Sequence, residues 1–125
     1  MTKMIFYEHA AWVIGAVVSG GSIEIGGSAR GVSVDYTSPM EPLFASEVAH
    51  AVAGMSRKEA NNIVVNLINK YEDKLHEPPI GQKYQECYNT VTGVPSKEFI
   101  ELYREVRQEL TDQFGLKFRG SSIYS

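Results

Sequence analysis

Residues 19–44 have the sequence SGGSIEIGGSARGVSVDYTSPMEPLF, and this stretch decides the fold that we predict. A short β-branched run, 22–25, lies between two glycine pairs at 20–21 and 26–27. Paired glycines at both ends of a strand permit positive φ, or a close approach of backbone where a side chain would clash. The stretch therefore predicts one β-strand with its loop, taken from a larger α/β barrel.

The rest of the chain predicts mainly helix. A second extended run, 31–36, is either a strand or an extended loop. Four helices are expected: an apolar one over 4–19, one over 43–53 ended by Gly54, one with a capping box at Ser56 and Glu59, and one from 95–96 to Gly115. Two strands are too few for a stable sheet. We therefore expect residues 1–115 to be an incomplete barrel segment with outer helices, and residues 116–125 to be a flexible tail.

Composition narrows the classes of function. The chain has 125 residues, 43% of them hydrophobic, and a formal charge of −3, which argues against nucleic-acid or anionic-membrane binding. The apolar run 4–18 is shorter than the ~20 residues that span a bilayer, and Glu8 and His9 interrupt it. A buried core helix is favoured there over a signal peptide. The single cysteine, Cys87, excludes an internal disulfide and fits a reducing, cytoplasmic setting.

The glycine-rich loop carries the candidate site residues. Residues 26–31, with Arg30, can cradle an anion or form a structural turn, although they lack the lysine and spacing of a P-loop. On the predicted strand, Glu24 is either a pocket carboxylate that binds an amine or acts as a base, or a carboxylate paired with a basic residue. Asp35 and Glu41 lie near the same loop. We take Glu24, Arg30 and Asp35 as pocket-rim residues, because loops after barrel strands build the active face.

Other reactive residue types give weaker patterns. Glu47 and His50 have the spacing of half a di-metal site, but the second half is absent, so a polar contact in a helix interface is favoured and no metal is expected. Cys87 has no neighbouring base and is not expected to be a nucleophile. Three tyrosines are expected to be hydrogen-bonded packing residues: Tyr84, Tyr88 and Tyr103. No catalytic residue is assigned.

The order of these features resembles a known family. The stretches 23–75 and 79–106 contain the glycine-strand-glycine block, the PMEP helix entry and the QECY loop in the same order. Together they resemble the C-terminal part of the monomethylamine methyltransferases of methanogenic archaea. The resemblance extends from about the first helix to about Leu110 and thus covers most of the chain.

The resemblance implies a TIM-type (β/α)8 barrel enzyme that moves the methyl group of monomethylamine onto the cobalt of a partner corrinoid protein, which feeds methanogenesis. In that family pyrrolysine captures the amine, and it lies upstream of the matched region, so no residue here can take its role. A barrel needs about 250 residues. We therefore expect an α/β fold class, the C-terminal portion of such a barrel, mostly helical with one or two short strands and inactive alone.

The resemblance also implies the partners. The corrinoid is expected on a partner protein, with no cofactor bound directly by this chain, and a homo-oligomer is expected. The alternative is a truncated stand-alone helical module that binds a corrinoid protein or an enzyme subunit through its apolar, alanine-rich helices.

Overall fold

Helices make up most of the structure, a computed structural model that describes residues 2–23, 35–120 and 124. Within these ranges the chain forms α1 (Lys3–Val18), α2 (Met40–Val52), α3 (Arg57–Ile68), α4 (Tyr84–Cys87) and α5 (Lys97–Phe114). A 3-10 turn, Glu72–Lys74, follows α3. The predominance of helix agrees with the sequence-based prediction.

The expected strands are not seen in the described part of the chain. Residues 22–23 and 35–36 are not in strands, and the remainder of both predicted segments, 24–34, lies outside the described residues. The β pairing seen in the described ranges is one isolated antiparallel bridge between Tyr88 and Pro95. A strand needs a neighbouring strand to satisfy its backbone hydrogen bonds, and the described residues supply no such neighbour.

The first helix occupies the centre of the fold. Because α1 is apolar nearly all round, it needs cover on several sides, and it packs against α2, α3 and α5. The ring of Phe6 lies 4.9 Å from that of Phe44 on α2 and 5.9 Å from that of Phe99 on α5. The prediction of a buried core helix is confirmed. No helix among the described residues is both long and apolar enough to span a membrane.

The glycine pair 20–21 ends α1. Gly20 has a φ of +77°, which favours glycine, and the N–H of Gly21 donates to the carbonyl of Ala16 over 2.9 Å. A Cβ on Gly21 would lie 3.2 Å from that same oxygen. The sequence predicted positive φ and a close approach of backbone for this glycine pair. The pair has both properties, and they allow the chain to turn away from α1.

The second helix begins three residues earlier than the predicted 43–53. Pro39 is its N-cap and Pro42 lies in its first turn. Proline is tolerated there because the first N–H groups of a helix have no intrahelical acceptor. The proline pair thus belongs to the helix start and does not precede it. Beyond the end of α2, Gly54 has the expected positive φ, +85°.

Both polar helices start at their local signals, and α5 also ends at one. At α3 the Ser56–Glu59 capping box is present, and the helix ends at Ile68 although the apolar spacing continues to Leu75, which is exposed. At α5 the Ser96 hydroxyl accepts a hydrogen bond from the N–H of Phe99, and Gly115 ends the helix with a φ of +68°.

Polar contacts join α1 to the last turns of α5. The ammonium group of Lys3 donates to Oε1 of Glu109 over 2.6 Å, and the hydroxyl of Tyr7 donates to Oε2 of the same carboxylate over 2.5 Å. Glu109 therefore holds two α1 side chains at once.

The chain after α5 begins by packing on the core. Leu116 is only 1% exposed, and the guanidinium of Arg107 lies 4.6 Å from the ring centre of Phe118. The division of the chain at residue 115 and the flexibility of residues 116–125 stay predictions, but Leu116 itself belongs to the hydrophobic core.

Candidate functional site

A buried carboxylate lies in the first turn of α2, where the chain arrives from the glycine-rich stretch. Glu41 is 1% exposed. Its Oε2 accepts hydrogen bonds from the backbone N–H of Ser38, over 3.0 Å, and from the Ser38 hydroxyl. The same hydroxyl oxygen accepts from the N–H of Met40 over 3.2 Å. A carboxylate at a helix N-terminus is stabilised by the unpaired N–H groups and the helix dipole there.

Two buried polar atoms at this site lack a geometrically well-formed hydrogen bond to any of the described residues. They are Oε1 of Glu41 and the hydroxyl oxygen of Tyr88, which follows α4 and is 4% exposed. Leaving a buried polar atom unpaired costs about 1–3 kcal/mol, so such atoms are rare in native proteins. The cluster of Ser38, Glu41 and Tyr88 therefore has hydrogen-bonding capacity that its own contacts do not use.

Burial shifts the titration of both groups. Burial raises the pKa of Glu41 to about 7, and the hydrogen bonds from Ser38 only partly oppose that shift. Burial likewise raises the pKa of Tyr88 to about 12; the Ser38 side chain partly opposes that shift, and the nearby charge of Glu41 adds to it. A carboxyl group that titrates near neutrality can hold or release a proton, or accept a hydrogen bond from an amine.

Aromatic rings form one wall of the cluster. Tyr84 and Tyr88 stack with ring centres 5.1 Å apart, and Phe99 packs edge-on against Tyr88 at 5.9 Å. Next to them Cys87 is buried, with Sγ 3.5 Å from Oε1 of Gln82. Burial raises the pKa of this thiol, with a further contribution from the charges of Glu86 and Glu41. Its high pKa disfavours the reactive thiolate, in agreement with the prediction that Cys87 is not a nucleophile.

Of the three predicted pocket-rim residues, the structure describes Asp35. Its side chain is exposed. Its carbonyl accepts a 2.7 Å hydrogen bond from the N–H of Tyr84, and its carboxylate accepts a 3.2 Å one from Nε2 of Gln85. Asp35 thus fixes the start of α4, the short helix that leads to Tyr88. Glu24, Arg30 and the anion loop 26–31 lie outside the described residues, so their roles stay predictions.

Sequence reasoning missed the role of Glu41. The sequence placed it near the loop but gave no reason to expect burial. The available signal was the Ser38-x-x-Glu41 spacing, the same spacing that identified the capping box at Ser56 and Glu59. Tyr103 is the hydrogen-bonded packing residue that was predicted, and Tyr88 packs against Tyr84 and Phe99 as expected.

The expected polar contact in a helix interface is confirmed for Glu47 and not for His50. Oε2 of Glu47 accepts a 2.6 Å hydrogen bond from the Tyr103 hydroxyl and lies 3.3 Å from Nε of Arg107. His50 is exposed, and its Nδ1 bonds to the carbonyl of Ser46. In the described ranges no group of three or more His, Cys, Asp or Glu side chains is placed to hold a metal ion.

Comparison with known proteins gives one family. The sequence model of the family described as "Monomethylamine methyltransferase MtmB" matches residues 1–116. Monomethylamine methyltransferase MtmB1 of Methanosarcina barkeri is 38% identical over 118 residues, which are 94% of this chain and 26% of that protein. MtmB of Methanosarcina mazei gives the same identity and coverage. The chain therefore spans about a quarter of the length of the curated relatives that it matches.

The fold agrees with that assignment. The crystal structure of the Methanosarcina barkeri monomethylamine methyltransferase matches with a TM-score of 0.85 and 36% identity, over 94% of this chain and 26% of that one. A crystal structure of the hydroxylamine complex of MtmB matches equally well. The resemblance inferred from the sequence is confirmed, and the chain belongs to the monomethylamine methyltransferase family.

Proposed function

We propose that this chain is the C-terminal segment of a methyltransferase that transfers the methyl group of monomethylamine to a corrinoid protein in methanogenesis. The observation that carries the proposal is the match over 94% of the chain to enzymes of that name, at 38% identity and with a TM-score of 0.85. The chain spans 26% of the length of those enzymes. In this proposal the remaining barrel and the pyrrolysine lie in the part of the enzyme that the matched segment does not cover.

In the complete enzyme the chain contributes the last portion of a TIM-type barrel. The apolar α1 and the alanine-bearing α2 are suited to lie between a barrel wall and the more polar α3 and α5. A barrel of about 250 residues cannot close from this segment alone. The chain by itself therefore has no methyltransferase activity. The complete protein is cytoplasmic and homo-oligomeric, and its corrinoid is held by the partner protein.

The pocket rim in this proposal consists of Glu24, Arg30 and Asp35. Two observations on Asp35 support this proposal. Its carboxylate is exposed, and the residue accepts two hydrogen bonds from the start of α4. Through α4 it connects the loop to the buried cluster of Ser38, Glu41 and Tyr88. A carboxylate at the rim can bind an ammonium group or remove its proton.

A chimeric enzyme tests the proposal. The matching quarter of the Methanosarcina barkeri enzyme is replaced by this chain, and methyl transfer from monomethylamine to a reduced corrinoid protein is measured. We expect turnover by the chimera and none by this chain alone or by the enzyme without its last quarter. A soluble, folded chimera that is inactive would overturn the proposal, and turnover by the isolated chain would overturn the claim that it is inactive alone.

The same chimera tests the rim. Glu24→Gln keeps the size of the side chain and removes its charge, so turnover should fall. Glu101→Gln, on the exposed side of α5, makes the same charge change and should have no effect. Equal rates for the two variants would make Glu24 a structural carboxylate.

A stand-alone interaction module is the second candidate. The side chain of Trp12 on the central helix is 46% exposed, which is unusual for a large apolar residue in a core helix and suits a contact with another protein. The DNA upstream of the Met1 codon separates the candidates. An in-frame continuation that encodes barrel strands supports the methyltransferase segment, whereas a promoter and ribosome site directly before Met1 support the module.

A further inference from the structure

Helix α5 separates its charges onto different sides. Its acidic residues include Glu105 and Glu109, which bind Lys3 of α1. Arg104, Arg107 and Thr111 recur at helical spacing and share another side. That side faces an open groove of about 580 Å³ lined by Arg104, Arg107, Gln108, Thr111, Leu116, Lys117 and Phe118. Among the described residues that line the groove, three are basic and none is acidic, on a chain whose formal charge is −3.

Arg107 is held in place before any ligand binds. Its guanidinium carbon lies 4.6 Å from the ring centre of Phe118 and 5.6 Å from that of Tyr103, and its side chain is 12% exposed. Nε lies 3.3 Å from Oε2 of Glu47 without the geometry of a hydrogen bond. Its position is thus set by two rings and one carboxylate, at little further cost in side-chain entropy on binding.

The two other basic groups lie at the rim of the groove. Nε of Arg104 donates to the carbonyl of Tyr124 over 2.6 Å, which fixes the side chain and leaves its terminal nitrogens as further donors. Lys117 is exposed. The carboxylate of Glu47 offsets the charge of Arg107, and the carboxylate of Asp112 lies 2.8 Å from the amide nitrogen of Gln108 at the edge of the groove.

We propose that this groove is a binding site for a compact oxyanion, a phosphate or carboxylate group of a small molecule. The planar guanidinium group matches the paired oxygens of phosphate and carboxylate. The hydroxyl of Thr111 donates to the carbonyl of Arg107 and the amide of Gln108 donates to Asp112, so the two arginines and Lys117 are the groups that would bind the anion. The volume lies within the range of small-ligand sites. A nucleic acid is disfavoured because the ring that lines the groove, that of Phe118, is already covered by Arg107.

The test is an NMR titration of the whole chain. Sodium phosphate and, separately, sodium succinate are added at an ionic strength held constant with sodium chloride. We expect saturable shifts in the backbone and arginine Nε–H signals of Arg104, Arg107, Thr111 and Lys117. Saturation with phosphate alone or succinate alone identifies the preferred oxyanion, and saturation with both supports the shared chemistry. Shifts that do not saturate with either salt would overturn the proposal.

A matched pair of double variants checks the location. Arg104→Gln with Lys117→Gln should weaken binding by about tenfold or more, since hydrogen bonds to charged groups are lost. Lys58→Gln with Lys74→Gln removes two exposed charges elsewhere and should leave the affinity unchanged. An equal loss in both pairs would show general charge attraction and overturn the site. Circular dichroism confirms that each variant is folded.

Discussion

Tyr103 of α5 donates a 2.6 Å hydrogen bond to Oε2 of Glu47 on α2, across 56 positions of sequence. The hydroxyl and the carboxylate lie between α2 and α5. Nε of Arg107, also on α5, is 3.3 Å from the same Glu47 oxygen. One carboxylate therefore joins α2 to α5, and it also holds the guanidinium that lines the basic groove.

Tyr103→Phe tests this contact. The ring stays in the core and only the hydroxyl is lost, so the unfolding free energy should fall by about 1.5–3 kcal/mol, the value of a hydrogen bond to a charged group. Urea denaturation measures the change. His50→Gln, one turn of α2 further on and exposed, is the control and should shift stability by less than about 0.5 kcal/mol. An unchanged midpoint in Tyr103→Phe would show that the hydrogen bond contributes nothing.

Glu41 should make stability fall as the pH rises. Its pKa is raised from 4.5 to about 7 in the folded protein, so between these values the folded state binds more protons than the unfolded state. The contribution is complete below pH 4.5 and is lost as the pH rises through about 7. Glu41→Gln removes this loss and should be more stable than the parent above neutral pH, by up to about 3 kcal/mol.

Thermal unfolding across that pH range measures the effect of Glu41. The curve of Tm against pH should be flatter for Glu41→Gln than for the parent. Glu59→Gln keeps a side chain of the same size in a capping box on the surface and should leave the slope unchanged. Parallel curves for the parent and Glu41→Gln would mean that Glu41 titrates normally.

Leu116→Ala should destabilise the fold by about 2–5 kcal/mol, because Leu116 is a core residue although it lies beyond the last helix. Val91→Ala is the control, since Val91 is 92% exposed and its truncation should cost less than about 0.5 kcal/mol. Chemical denaturation compares the two. If both variants lose less than about 0.5 kcal/mol, Leu116 belongs to a flexible tail, as the sequence-based division of the chain predicts.

The thiol of Cys87 should react with a thiol reagent only after unfolding. It is 1% exposed, and burial raises its pKa, so little thiolate is available in the native state. A Ser46→Cys variant adds an exposed thiol and should react promptly under native conditions. If the thiol reagent reacts with the native parent as fast as with that variant, Cys87 is accessible to solvent and is not buried as the structure shows.

Local signals in the sequence predicted most of the helices. The capping box at Ser56 and the glycine at 115 each involve residues within a few positions of each other, and both are confirmed. The start of α2 was wrong by three residues because proline can either precede a helix or occupy its first turn.

The candidate site depended on contacts that no local pattern contains. Asp35 was predicted at a pocket rim, but its hydrogen bond to Gln85 spans 50 positions of sequence. The burial of Glu41 likewise comes from the surrounding fold, because an isolated helix N-terminus would leave that carboxylate in water. The expected strands depend on pairing partners, which is why two short β-branched runs could not decide their own conformation.

The contact of Lys3 with Glu109 has a consequence for synthesis of the protein. The two residues are 106 positions apart, so at ~5–20 residues per second the ribosome needs roughly 5 to 20 s to make the second after the first. During that interval the most apolar helix of the chain has emerged without the helix that completes its cover. We therefore expect α1 to pack first against α2 and α3, which are made earlier, and against α5 last.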